Sequence, residues 1–251
     1  MKSLLLAVAV AIGFQTSFAQ SSSLREYCPF ELAQVNATCA SYATVYSALS
    51  TQYNAANGFH ASDSGFTAFS YGYIASRMKA DKRGLRRIFN RCGLNVGADI
   101  ALETLKKYGT FRMKEFPYIC ACTKLPGVES NYPSFKINNF TCLGTDSSIA
   151  VEHIEKIKGA IDQKLPVVAA IYQTPFFHAN RVADAVFPEH YEKVETKANH
   201  VVCILGYDEH RNGGSFLIKN NYADWGGDHG FGYVKYSDML KLIRATYVIS
   251  L

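Results

Sequence analysis

The sequence predicts an α+β chain of two lobes, helical toward the N-terminus and β-rich toward the C-terminus. Three observations predict it. Apolar residues recur at helical spacing through Tyr42, Tyr46 and Leu49, and again through Ala101, Leu102 and Leu105. Beyond about residue 130 they gather instead into short continuous runs of strand length. Asn212-Gly213, between two of those runs, has the composition of a tight hairpin turn.

The first helix is expected to open at Cys39 and run through Leu49. Thr38-Cys39-Ala40-Ser41-Tyr42-Ala43 holds no Gly, Pro or charge, and Thr38 is a competent N-cap. Residues 55 to 66 are rich in Gly, Ser, Asn and Asp and read as loop. A second helical patch starts at Phe69–Ile74 and leads into a basic cluster of Arg77, Lys79, Lys82, Arg83, Arg86, Arg87 and Arg91. No nucleic-acid fold signature accompanies that cluster, so it reads as a solvated helix face. Ala98–Tyr108 is an amphipathic helix, with Gly109 as its stop. In the second half, Ala150–Asp162 reads as a helix and Pro166–Tyr172 as a strand. Residues 174 to 198 read as a long irregular loop. Val201–Gly206, Ser215–Lys219 and Gly232–Tyr236 read as strands, the first two joined by the hairpin turn.

Residues 1 to 19 have the form of a secretory signal. Lys2 gives the charged start, Leu4 to Phe14 the apolar core and Ser17-Phe18-Ala19 the small-x-small cleavage site. The apolar core is too short to span a bilayer, so no membrane insertion is expected and the mature chain, residues 20 to 251, is read as secreted. The net charge of +5 is too modest to imply an acidic partner, and no nucleic acid is expected. Seven cysteines, at 28, 39, 92, 120, 122, 142 and 203, suit an oxidising compartment, and an odd count leaves at least one thiol unpaired. Cys39 and Cys203 are the candidates for free thiols. Cys120-Ala121-Cys122 lacks the spacing and the second pair of a zinc site, so no metal and no cofactor is expected.

A thiol on the first turn of a helix faces unpaired backbone N–H groups and the positive end of the helix dipole. Both favour the thiolate, which makes Cys39 a candidate nucleophile. His200 stands at the start of the strand Val201–Leu205, and Asn220 closes the strand Ser215–Lys219. If these strands are the arms of one hairpin, His200 and Asn220 lie side by side at its open end. Thiol, imidazole and orienting amide together supply a nucleophile, a general base and the group that fixes the base.

These residues resemble the papain-like cysteine peptidases. Asn199-His200-Val201-Val202-x-x-x-Gly206-Tyr207 looks like the family's histidine motif, and Lys219-Asn220-Asn221-Tyr222-x-x-Trp225-Gly226-Gly227-x-x-Gly230-Phe231 is similar to its asparagine motif. Cys39-Ala40-Ser41-Tyr42-Ala43-Thr44 resembles the bacterial form of the nucleophile helix. The helix ending Lys106-Lys107-Tyr108-Gly109 and the turn Phe116-Pro117-Tyr118 match as well. The likeness covers roughly residues 25 to 245. It implies a papain-like two-lobe fold, with a helical lobe over about 30–130, a β-barrel-like lobe over about 131–251, and the active-site cleft between them. It also implies a monomeric thiol protease acting on protein or peptide substrates through Cys39, His200 and Asn220.

By the same resemblance, Gln34 would complete the oxyanion hole, although it stands five residues before Cys39 where the family's glutamine stands six. Asn36 is the alternative. Ala40 and Tyr222 replace family tryptophans, and Gln20 to Thr38 leaves no room for an inhibitory pro-domain. Two disulfides are expected, Cys92–Cys120 first by similarity to the family's helical-lobe bridges. The departures keep one alternative open, a weak or inactive papain-fold protein serving as a binding module.

Overall fold

The computed structural model of the chain describes residues 20–78, 96–119, 128–188 and 199–251. The signal-like segment, most of the basic cluster, Cys92, Cys120, Cys122 and the end of the 174–198 loop lie outside the described residues.

From Cys39 the chain is helical without a break to Asn57, as α1 (Cys39–Ser41), a π-helical run (Tyr42–Leu49) and α2 (Ser50–Asn57). Every residue from Cys39 to Leu49 is buried, which is why the stretch tolerates no charge. The helix outlasts the expected end at Leu49 and stops at Gly58, which takes the left-handed conformation that favours glycine. Thr38 does not cap it: its hydroxyl donates to the Val35 carbonyl at 2.8 Å, leaving the helix N-terminus without a side-chain acceptor. Ser70 caps α3 (Tyr71–Arg77) by accepting from the Tyr73 N–H at 3.3 Å. The helix over Ala98–Tyr108, α4, buries Ala98, Ala101, Leu102 and Leu105 as its spacing predicts. A short α5 (Val128–Asn131) precedes the β-rich half.

That half is built on one antiparallel sheet, which a strand from the N-terminus joins. Its strands are β1 (Ser21–Ser23), β2 (Asn139–Thr145), β3 (Val167–Ile171), β4 (His200–Asp208), β5 (Ser215–Lys219), β6 (Phe231–Lys235) and β7 (Ile243–Ser250). The order across the sheet is β2-β7-β3-β4-β5-β6, and β1 pairs with the far half of β4. β2 and β6 are edges that do not meet, so the sheet is open rather than closed into the barrel-like form expected.

Both faces of its centre are covered. Val168, Ala170, Val201, Cys203, Leu205 and Leu217 pack toward the helices of the first half. Val167, Ala169, Val202, Ile204, Phe216 and Ile218 pack toward α6 (Glu152–Asp162) and α8 (Tyr236–Leu242). Two-sided burial explains why these strands read as unbroken apolar runs instead of alternating ones. The region expected to be irregular after Gln173 contains a helix, α7 (Pro175–Ala179), capped by the Thr174 hydroxyl with Pro175 at its first turn. The hairpin connection is longer than a tight turn: residues 209–214 link Asp208 to Ser215 through a 3₁₀ turn (Arg211–Gly213), with Asn212, Gly213 and Gly214 all at positive φ. Among the described residues no helix is long and apolar enough to cross a membrane.

The cysteines depart from expectation. Cys28, Cys39, Cys142 and Cys203 are all free. The three that remain allow one bridge, not two, and Cys92–Cys120 falls outside the described residues.

Candidate active site

Strand register builds one wall of the site. Ile171 pairs with His200, and Cys203 pairs with Lys219. Continuing the second pairing by two and three residues sets Val201 opposite Asn221 and His200 opposite Tyr222. His200 Nε2 lies 2.8 Å from Asn220 Oδ1, the adjacency that the hairpin reading predicts. Asn220 Oδ1 is a pure acceptor, so Nε2 donates and Nδ1 is the nitrogen left to exchange a proton with a thiol. The Asn221 backbone N–H donates to the same Oδ1 at 2.7 Å, which fixes the amide's orientation. Among the described residues Asn220 Nδ2 is buried without a partner.

The Tyr222 ring stacks on the imidazole, 5.3 Å between centroids and 4° from parallel. It does the shielding that a tryptophan would do there. Phe177 meets the imidazole edge-on, and the Trp225 indole N–H donates to the Phe177 carbonyl at 2.6 Å. The turn after Trp225 requires glycine: a Cβ on Gly226, at φ 73°, would lie 1.8 Å from the Phe231 carbonyl oxygen.

The other wall is the segment before α1. Gln34 donates its backbone N–H to the Asn221 carbonyl at 2.9 Å, and its side-chain Oε1 accepts from Asn221 Nδ2 at 3.0 Å. The same Nδ2 reaches the carbonyls of Cys39 at 3.3 Å and Val201 at 2.9 Å. One buried amide thus ties together the nucleophile's backbone, the glutamine and the histidine strand. Gln34 Nε2 donates to the Asn36 carbonyl at 2.7 Å. Asn36 itself is exposed and left-handed, at φ 57°, a conformation asparagine tolerates better than most residues. Asn36 contributes a carbonyl to the arrangement, and Gln34 is the residue docked beside Cys39.

The electrostatics differ from the expectation of a thiolate. Burial pushes the Cys39 thiol above its ordinary pKa, outweighing the backbone N–H groups of Val201, Ala40 and Cys39 itself that pull it down. Burial also drives His200 down to about 4, against the pull of Asn220 in the other direction and with a further push from His178. Desolvation opposes the helix-dipole effect on which the sequence argument rested, and burial disfavours the charged form of both groups. Asn221, the contact that joins the two walls, was missed from sequence, where it is one more polar residue inside the asparagine motif.

The comparisons with known proteins concern the family and the fold. A model of the papain family cysteine proteases matches residues 90–248, which include His200 and Asn220 and leave out Gln34 and Cys39. Procathepsin L 3 from the larval midgut of Tenebrio molitor superposes with a TM-score of 0.68 at 16% identity, over 95% of this chain and 72% of that one. The proform of the ragweed pollen cysteine protease Amb a 11 gives 0.68 at 16%, over 94% and 66%. Xylellain, a cysteine protease from Xylella fastidiosa, gives 0.61 at 18%, over 93% and 87%. At these identities the likeness is one of fold. No curated protein sequence matches. The matched family model spans well over half the chain, and the chain belongs to the papain family of cysteine proteases.

Proposed function

We propose that this cysteine peptidase cleaves peptide bonds through a thioester acyl-enzyme, with Cys39 as nucleophile, His200 as acid and base, Asn220 as the orienter and Gln34 as an oxyanion donor. The observation that carries the reading is the Asn221 amide, which holds Gln34 and the Cys39 backbone against the strand of His200 while His200 bonds Asn220. In the first half-reaction the Cys39 proton passes to His200 Nδ1 as the sulfur attacks the carbonyl carbon. Because burial disfavours the charged form of both groups, this transfer accompanies the attack. The oxyanion is held by the Cys39 backbone N–H and by Gln34 Nε2, whose second N–H is not used by Asn36. The imidazolium then protonates the leaving amine. In the second half-reaction His200 takes a proton from water, which attacks the thioester and restores the thiol. Asn220 suits a site that cycles through a thiolate–imidazolium pair, since it fixes the ring without adding a charge.

We further propose export, on the signal-like order of Lys2, the apolar Leu4–Phe14 and Ser17-Phe18-Ala19. N-terminal sequencing of the mature protein should return Gln20 as its first residue.

The central test is a peptide carrying a thiol-directed electrophile. Wild type should be labelled at Cys39 and should turn over the matching substrate, and Cys39→Ala should do neither. Hydrolysis by folded Cys39→Ala at most of the wild-type kcat would sink the mechanism. Tight peptide binding without labelling or turnover would favour the binding-module reading.

A further inference from the structure

Lys219, the residue before Asn220, is wholly buried at the end of β5. It shares a face with Leu217 and points toward the helices, with Cys203 as its cross-strand partner. Its Nζ donates to the carbonyls of Asn220 at 3.0 Å and His229 at 2.7 Å. It also lies 5.7 Å and 5.3 Å from the ring centroids of Tyr42 and Phe231, within reach of a cation–π attraction. Among the described residues no carboxylate pairs with it. Asp228, the acid whose field reaches it, is bound by Arg25. The thiols that face it offer no counter-charge: burial pushes Cys28 up to about 11 and Cys203 well above the ordinary thiol value. An ammonium buried among carbonyls, rings and neutral thiols is costly, and its own pKa falls to about 8 through desolvation.

The two carbonyls it holds are the two ends of one loop. Asn220 and His229 bracket the segment that carries Asn221, Tyr222 and Trp225, three of the side chains that build the His200 wall. Gly230 seals the same spot: it accepts the Asn220 N–H at 2.8 Å. A Cβ there would lie 2.7 Å from the Asn220 oxygen and 2.9 Å from Lys219 Nζ.

We propose that Lys219 is a positioning residue for hydrolysis, its ammonium clasping both ends of the 220–229 loop so that Asn220 and Tyr222 stay seated on His200. The proposal rests on the assignment of Cys39, His200 and Asn220 made above. Lys219 touches no reacting atom. Its loss should therefore slow chemistry while leaving substrate binding nearly intact.

The experiment compares wild type, Cys39→Ala, Lys219→Met and Lys219→Gln by kcat, KM, melting temperature and the rate of Cys39 alkylation by iodoacetamide, read by peptide mapping. Lys219→Met keeps an apolar stem and deletes the donors. Its kcat should fall at least about tenfold with KM within about twofold of wild type. Alkylation of Cys39 should slow alongside, because a loosened imidazole takes the thiol proton less well as the sulfur attacks. Lys219→Gln, which restores an N–H donor, should recover part of the kcat. A purely structural role would lower the melting temperature and leave the kcat and alkylation rate of the folded fraction unchanged, and that result would overturn the proposal. If Lys219→Met does not fold, Lys219→Gln carries the test, and a wild-type kcat there overturns it equally. Loss of hydrolysis in Cys39→Ala together with normal Lys219 variants would refute the clasp alone. Hydrolysis surviving in Cys39→Ala would refute the catalytic assignment and the clasp with it.

Discussion

The imidazole wall and the thiol wall of the site are built on different principles. Residues 200 to 231 are held by strand register, a stacked ring and the clasped loop, and His200, Lys219, Asn220 and Asn221 among them are buried. Residues 34 to 39 have no strand to hold them. They are partly exposed, turn through the left-handed Asn36, enter a helix that lacks a side-chain cap, and depend on Asn221 for their hold on the other wall. A base and its orienter demand a fixed ring plane, which a sheet supplies. A nucleophile on a helix start needs only that its backbone be brought to the right distance, and several loop lengths can do that.

Removing the glutamine strikes the looser wall hardest. Gln34→Ala should lower kcat/KM by on the order of 10²–10³, about 3 kcal/mol of transition-state stabilisation. Asn36→Ala should leave kcat/KM within a few-fold, since Asn36 lends only its carbonyl. A large loss in Asn36→Ala with a silent Gln34→Ala would exchange their roles. Both would be compared on one peptide substrate.

Acid should act next, through the tighter wall. Unfolded histidine takes up its proton below about pH 6.5, whereas folded His200 does so only near 4. Between those values the unfolded state binds more protons, so stability falls as pH falls. The full effect is about 3 kcal/mol. Urea unfolding from pH ~7 to ~4 measures it. A His200→Gln variant should show a shallower slope, the remainder including His153, which burial also depresses. An unchanged slope would refute the burial argument.

Asn220→Ala should then lower kcat by at least about tenfold with little change in KM, because it frees the imidazole rather than the substrate. Equal effects on kcat and KM would point to a collapsed loop instead. The smallest effect belongs to Thr38. Thr38→Ala should cost about 1 kcal/mol through the lost bond to Val35 and nothing through capping. Rescue of that loss by Thr38→Asp, a better cap, would show that the helix start is capped after all.

The sequence carried the imidazole wall well, for a physical reason. β4 and β5 are buried on both faces, so their apolar runs are long, and their pairing, shifted in register between Ile204 and Gly206, brings His200 beside Asn220. β2 and β7 were not read as strands. β2 is a half-exposed edge, and β7 interleaves Arg244, Thr246 and Tyr247 among its apolar residues. Thr38 looks like a cap because the residue type is right, yet Val35 competes for its hydroxyl. The thiolate expectation weighed the helix dipole, which is local, and had no view of desolvation, which depends on what packs from the rest of the chain. Lys219 and Asn221 sit inside a motif that names Asn220, and nothing in their residue types tells how many carbonyls each will reach.

β1 bears on how such a molecule comes into being. Ser21–Ser23 pairs with Gly206, Tyr207 and Asp208, so the strand that carries His200 acquires one of its neighbours from residues made nearly two hundred positions earlier. All the helices that support Cys39 lie in the span between these partners. The ladder cannot close until that span has been translated and drawn together, and such distant pairing makes for slow folding. The N-terminal strand therefore acts as a late seal. In a refolding experiment the amide protons of Leu24 and Glu209, which bond across to Leu205 and Gln20, should become protected after those of the β5–β6 pair, and chains released short of β4 would lack the sheet that gives the thiol its base.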